Sequence, residues 1–327
     1  MTSAKTRESV RVARQQSGFS LVEMMVALTV SVVLLLGVSN VIISSSQSYG
    51  ELTRSSQQLE NGRYALQVLR DDIRHAGFYG EFSDLKVPAS MPNSCTLSTT
   101  ALKDAVDAPV QGYAAAGTAP ISCLPGYVGG DVLVIRRSST QVTAAASMNA
   151  SDYYIQARSD QVIVDQRGDP VDPNYPNAFT LKKKDGTTLA DIRKYVVHIY
   201  YLRNCSDCSG SGDGVPSLWR REIQGGAFTS APVAEGIENM QLRYGLDDND
   251  DGTPDRYVAL PGSTAEWESV VAVEVNLLAR STEASPGFTD TKSYVLGDVT
   301  VTPGGSFKRH AFNAVVRAMN LSSRKEM

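Results

Sequence analysis

The segment Phe19–Ile43, FSLVEMMVALTVSVVLLLGVSNVII, constrains this chain more than any other, because its only charged residue is Glu23. As a helix, residues 24–43 would span roughly 30 Å, the thickness of a bilayer core. Residues 1–18, MTSAKTRESVRVARQQSG, set Lys5, Arg7, Arg11 and Arg14 against Glu8 alone. A basic flank of this kind stays cytoplasmic and sends the rest of the chain outward. Two ordinary segments share this layout, a secretory signal peptide and a single-pass anchor. The apolar run is about twice the length of a signal-peptide core, and no clear small-x-small site ends it, although Ser44–Ser46 offers a weak one. A plain anchor has no use for Glu23, since an ionisable group in the membrane costs roughly 2.5–3.5 kcal/mol. Glu23 therefore needs a partner.

The averages over the whole chain hide this segment. The 327 residues carry 31 Lys+Arg and 35 Asp+Glu, a formal charge of -4. Hydrophobic residues make up 42% and the mean hydropathy is -0.18. These values exclude a disordered or fibrous chain. The mild acidity argues against nucleic acid as a partner, because phosphate binding needs surplus Lys and Arg. One long apolar run excludes a multi-pass membrane protein.

Residues 44–79 contain no Pro, the first in the chain being Pro88. Leu52, Leu59, Leu66 and Ile73 recur every seven residues, with Gly62, Ala65, Leu69 and Ala76 beside them. The pattern predicts one helix from about Phe19 to about Ala76, stopped by Gly77, apolar all round in its first half and amphipathic in its second. At 1.5 Å per residue it would be roughly 85–90 Å long. Gly37, Gly50 and Gly62 either let this helix bend or allow a close contact. Strand-like runs follow at Asp131–Arg136, Gln161–Val164, Tyr195–Leu202, Leu218–Ile223, Asn239–Tyr244, Val270–Leu278, Tyr294–Val301 and Ala311–Met319. Turn clusters such as Asp169–Asn177 and Ser209–Pro216 separate some of them. Long helices do not alternate with these strands, so a parallel α/β sheet is unexpected. The expected class is α+β, one long N-terminal helix packed on an antiparallel sheet. The expected division is a leader at 1–18, a helix at 19–79 and a β-rich domain at 80–327, with an Ala-, Pro-, Ser- and Thr-rich insertion at about 86–130.

The junction Gly18-Phe19-Ser20-Leu21-Val22-Glu23 resembles the type IV prepilin signal. The resemblance implies that a prepilin peptidase cuts between Gly18 and Phe19, that Phe19 is N-methylated, and that Glu23 becomes the fifth mature residue. The amine of a neighbouring subunit would then pair with Glu23, and a buried pair of that kind sets register more than stability. The run SSSQSYGELTRSSQQLENGRYALQVLRDDIRHAGFYGEF is similar to the PilW-type minor pilins. So, more weakly, are Val233–Gly245 and Val270–Ser281, which also resemble J-type pseudopilins. The resemblance implies an inner-membrane subunit of a Gram-negative bacterium with a periplasmic domain. Its partners would be other minor pilins, the major pilin and a PilY-type tip adhesin. It would prime pilus assembly, sit at the tip, and support twitching motility and adhesion. The rival readings are a J-type pseudopilin of a type II secretion system and a membrane-tethered periplasmic binding protein.

Cys95, Cys123, Cys205 and Cys208 would all lie outside the membrane, where disulfides persist. Three pairings are possible. The favoured one joins Cys95 to Cys123, tying down the insertion, and Cys205 to Cys208, closing a tight loop. The spacing of the second pair is also that of a redox motif or half a zinc site. Asp247-Asp248-Asn249-Asp250-Asp251-Gly252-Thr253-Pro254-Asp255 fits a calcium loop, with oxygens from Asp247, Asn249, Asp251, Thr253 and Asp255. Val258 stands where an EF-hand carries its last Glu, so the site is incomplete. An acidic surface turn is the plainer alternative. No hydrolase, nucleotide or zinc-protease motif is present, and the three histidines, His75, His198 and His310, suit core or surface roles. No enzymatic activity is expected.

Overall fold

The computed structural model describes residues 18–115, 117–167 and 179–326. The basic residues of the leader and the expected turn Asp169–Asn177 lie outside the described residues. The chain divides into two compact units, Met1–Thr53 and Arg54–Met327.

Helix α1 runs from Leu21 to His75. In the first unit its apolar side chains are all exposed, with Phe19, just before the helix, 80% and Leu35 66% accessible. By length and composition it is the one helix among the described residues that can cross a membrane. Two of its polar side chains are satisfied within the helix. Thr29 Oγ1 donates to the Val26 carbonyl at 2.9 Å and Ser31 Oγ to that of Ala27 at 2.7 Å. Hydroxyls bonded in this way leave nothing for lipid to solvate.

In the second unit, α1 buries Gln58, Gly62, Ala65, Leu69, Asp72 and Ile73. The seven-residue leucine series is therefore not the core stripe. Ile73 is buried, Leu59 and Leu66 are half-buried, and Leu52, on the other unit, is exposed. A straight helix of 3.6 residues per turn drifts by about 20° per heptad, so a strict seven-residue series rotates across the face. Gly62 is a close-contact glycine: a Cβ there would overlap the Phe312 ring, lying 2.6 Å from Cζ. Gly77, at φ 71°, ends the helix as expected, and its N–H donates to the Arg136 carbonyl at 3.0 Å.

Thirteen strands follow among the described residues: β1 (Val110–Tyr113), β2 (Val132–Val142), β3 (Tyr153–Arg158), β4 (Gln161–Gln166), β5 (Ile192–Arg203), β6 (Ser217–Gln224), β7 (Ala227–Glu235), β8 (Ile237–Leu246), β9 (Arg256–Val258), β10 (Val270–Arg280), β11 (Tyr294–Leu296), β12 (Val299–Val301) and β13 (Arg309–Arg317). The larger sheet has the order β1-β2-β5-β3-β4, with β6 also pairing β5 and carrying β7. The smaller sheet is β13-β10-β8-β9, and β11 and β12 form a hairpin. The pairings between these strands are antiparallel. The class is α+β, a long N-terminal helix on antiparallel sheets.

Two cores explain the continuous apolar runs. The first packs Ala65, Leu69 and Ile73 against Leu242, Val273 and Val275 of the smaller sheet and Leu133, Ile135 and Tyr200 of the larger. The second lies on the other face of the larger sheet, with Tyr79, Phe82, Leu102, Val134, Tyr195, Ile199 and Trp219. Strands β2 and β5 are buried on both faces and so do not alternate. Three sequence expectations need correction. Tyr294–Val301 is two strands around Gly297, whose φ is 61°. Strands β1, β3 and β7 were not expected at all. Residues 86–130 contribute helix α2 (Thr99–Asp104) and an edge strand to the larger sheet. Helices α3 (Thr264–Glu268) and α4 (Met319–Lys325) complete the fold.

One buried side chain orders the 86–130 segment. The Arg136 guanidinium donates to the Ala108 carbonyl at 2.7 Å, to Ser94 Oγ at 2.9 Å and to Gln111 Oε1 at 2.8 Å. A second residue ties the sheets together. Asp131 accepts from the Leu242 N–H at 2.7 Å and the Ala115 N–H at 2.7 Å.

Candidate functional site

Gly18, Phe19 and Ser20 precede the first turn of α1 and lie outside the helix. The Gly18–Phe19 peptide bond is therefore non-helical and exposed, the state a peptidase needs. The helix is already closed by Ser20, whose carbonyl accepts the Met24 N–H at 3.1 Å. Glu23 sits in the first turn, where the helix dipole favours a negative charge. It is exposed.

Both cysteine pairs are joined as favoured. Cys95–Cys123 has its Cα atoms 5.6 Å apart, and Cys205–Cys208 has them 5.2 Å apart. The first closes the 86–130 segment. The second is anchored by Trp219, whose Nε1 donates to the Cys205 carbonyl at 2.8 Å, so both of its sulfurs are committed within a structural loop.

The acidic loop follows β8. Asp247 is buried, and it accepts the N–H groups of Asn249 at 3.3 Å, Asp251 at 3.2 Å and Gly252 at 2.8 Å. Asn249 Oδ1 accepts the same Asp251 N–H at 3.1 Å, so two side-chain oxygens converge there. Asp251 accepts the Thr253 N–H at 2.7 Å and the Thr253 hydroxyl, which hold its carboxyl below the usual range. Asp255 turns the other way and accepts the Asp248 N–H at 2.8 Å. The crowded acids of this loop are partly balanced by the chain's own cations. Arg256 pairs with Asp248 at 2.8 Å and Lys325 of α4 with Asp250 at 2.7 Å, while Arg317 donates to the Gly252 carbonyl at 3.0 Å. Among the described residues no group of three or more His, Cys, Asp or Glu is arranged to hold a metal.

A buried ionic cluster was missed from the sequence. Asp72 of α1 accepts from His198 Nδ1, from Tyr200 Oη at 2.5 Å and from Arg137 Nε at 3.0 Å. On the far side of the ring, His198 Nε2 lies 3.3 Å from Glu222, which also pairs with Arg220 at 2.9 Å. Burial pushes the Asp72 carboxyl up, and the contacts with His198, Arg137 and Tyr200 outweigh it, so the net direction is down. Glu222 is also held low, first by the His198 hydrogen bond and then by Arg220. Burial, reinforced by the Asp72 charge, drives the Tyr200 phenol well above its usual value. The other two histidines have minor roles: His75 Nδ1 meets the Asp71 carbonyl and His310 stacks edge-on against Phe312.

Two family models match the chain. The prokaryotic N-terminal methylation motif covers residues 13–39, and type IV pilus-assembly protein W covers residues 199–320. The two matches support a type IV pilus minor pilin of the PilW type. The PilW match runs from within β5 through β13, so it includes both late-strand segments singled out above. The serine-rich and AGFYG-containing run 44–80 lies outside both matched spans, so the sequence reading placed the weight of the resemblance elsewhere. Among solved structures the chain is similar to a type IV-like pilin from Thermus thermophilus. That similarity is at 14% identity over 80% of this chain and 97% of the other, with a TM-score of 0.32. No curated protein matches. PilW-family proteins are pilus components, and the methylation motif implies processing by a prepilin peptidase.

Proposed function

We propose that this chain is a PilW-type minor pilin, cut between Gly18 and Phe19, methylated on Phe19, and held in the inner membrane by residues 19–43 with its second unit in the periplasm. From there it primes type IV pilus assembly with other minor pilins and the major pilin, and it stays in the tip complex beside a PilY-type adhesin. Twitching and adhesion follow from that place. The single observation behind the reading is the methylation motif over residues 13–39, on a helix whose apolar side chains are exposed up to Ile43. Glu23 is the assembly residue, pairing with the Phe19 amine of a neighbouring subunit. The chain works as a structural subunit rather than an enzyme. A Glu23→Ala variant tests the assembly role: the reading expects a processed protein that fails to support piliation, and normal piliation would sink it.

We propose weak calcium binding at Asp247, Asn249, Asp251, Thr253 and Asp255. The support is the convergence of Asp247 Oδ1 and Asn249 Oδ1 on one N–H, at 3.2 Å and 3.1 Å. Calcium would have to take Asp251 from Thr253 and turn Asp255 away from Asp248. Isothermal titration with millimolar calcium tests it, and the absence of heat would refute it.

A further inference from the structure

Arg63, Arg70 and Arg74 of α1 are exposed and have no ion pair, hydrogen bond or ring contact among the described residues. Every other arginine of the second unit has one. The side chains of Glu60, Gln67 and Asp71 are likewise exposed and without such a partner. At 3.6 residues per turn the three arginines fall on one line, within about 40° of one another. Glu60 and Asp71 fall on a second line about 65° round the helix, and Gln67 lies between the two. Both lines turn away from the buried Ala65 and Leu69. The charges also repeat along the axis. Glu60 stands one turn before Arg63, and Asp71 one turn before Arg74, with about three turns between the two sets. An acid can pair with an arginine three residues on in its own helix. Neither pair closes here.

Such a face is complementary to itself. Two copies of α1 set side by side, parallel and in register about a two-fold axis along the helices, would meet at Gln67. The acid line of each copy then faces the arginine line of the other. Glu60 comes opposite Arg63 of the second copy, across a rise of about 4.5 Å that long side chains cover. Asp71 comes between Arg70 and Arg74 of the second copy. Self-complementarity about a two-fold axis is what a closed homodimer requires. We propose that a second copy of this chain docks on the outward face of α1 between Glu60 and Arg74, as a parallel dimer held by these ion pairs. The parallel sense rests on the reading above, in which residues 19–43 anchor both copies in one membrane. Exposed ion pairs are individually weak and are screened by salt. Confining both anchors to one membrane raises the effective concentration, so weak pairs suffice to select partner and register.

The test uses the full chain in membranes. All four native cysteines are disulfide-bonded, so an introduced cysteine is the one thiol. Gln67→Cys should give a disulfide-linked dimer under mild oxidant. Gln57→Cys, exposed but about 80° off the contact line, should not. Arg63→Glu with Arg74→Glu, added to Gln67→Cys, should cut the linked fraction about tenfold. Glu60→Arg with Asp71→Arg should do the same. The two charge variants placed in one membrane should link again, as mixed dimers, whereas a pairing confined to one helix gains nothing from a second chain. No link at Gln67→Cys, an equal link at Gln57→Cys, a link only to a different subunit, or no rescue on mixing overturns the proposal. So does a link between a Glu60→Cys chain and an Arg74→Cys chain, which would make the helices antiparallel. Membrane fractionation reads the anchor separately: an anchored chain that does not link refutes the dimer alone, and a chain not retained in membranes refutes both.

Discussion

Gly112 in β1 and Tyr244 in β8 meet closely where the two sheets pack, and replacing the glycine tests that contact. A Cβ on Gly112 would overlap the Tyr244 hydroxyl oxygen and come within 2.5 Å of Cζ and 3.2 Å of Cε2. The ring cannot step aside. It is 1% exposed and packs edge-to-face on Trp267 at 4.8 Å. Overpacking of this kind costs about 1–3 kcal/mol. The loss of chain entropy in the unfolded state returns roughly 0.4–1 kcal/mol. Gly112→Ala should therefore destabilise the protein by about 1–2 kcal/mol net. The Tyr244 hydroxyl has no hydrogen-bond partner among the described residues, so Tyr244→Phe should be neutral or stabilising by up to about 1 kcal/mol. The double variant should recover part of the loss, because the hydroxyl goes while the Cζ overlap remains. Urea unfolding followed by tryptophan fluorescence reads this directly, since Trp267 touches Tyr244 and Trp219 reports separately from β6. An unchanged midpoint in Gly112→Ala, or a double variant no better than the single, would refute the packing argument.

Four other outcomes are expected. Asp131→Ala strips two backbone N–H groups of their acceptor and should cost about 1–3 kcal/mol in a denaturation midpoint. Gly77→Ala forces a side chain into φ 71° and to 2.7 Å from Leu321, so it should lower the melting temperature and fray the end of α1 in hydrogen exchange. Replacing Cys95 and Cys123 by Ser opens a loop of 28 residues and should cost about 3–4 kcal/mol, read by the same unfolding curves with and without reductant. Asp72 has its carboxyl lowered from 3.8, so its stabilising contribution is present above about pH 4 and fades below it. Asp72→Asn should flatten that acid limb of the stability profile.

The helix was legible because it needs only local information. No proline occurs before Pro88, the first half is apolar throughout, and Gly77 sits where a left-handed residue must end it. Strands β2, β5, β8 and β10 were legible as apolar runs. Strand β7 was not, because it is an edge strand with Pro232 in it and an exposed, weakly apolar face. Strand β1 is four residues long with Gly112 in its middle, which no propensity rule favours. The leucine series misled because seven-residue spacing suits a supercoiled seam, whereas the helix in the second unit buries Gly62, Ala65, Leu69 and Ile73. The N-terminal methylation motif and both cysteine pairs could be read from short segments. The Asp72–His198 contact could not, since the partners lie 126 residues apart and each looks unremarkable alone. The acidic loop was visible, but the cations that balance it, Lys325 and Arg317, come from the far end of the chain.

The central claim is that Phe19 becomes the methylated first residue of a pilin. Intact-mass and N-terminal peptide mass spectrometry of the protein from membranes of a host with prepilin peptidase tests it most directly. The account predicts a chain beginning at N-methylated Phe19, with residues 1–18 gone. A retained leader, or a cut after the apolar run near Ser44–Ser46, would contradict it.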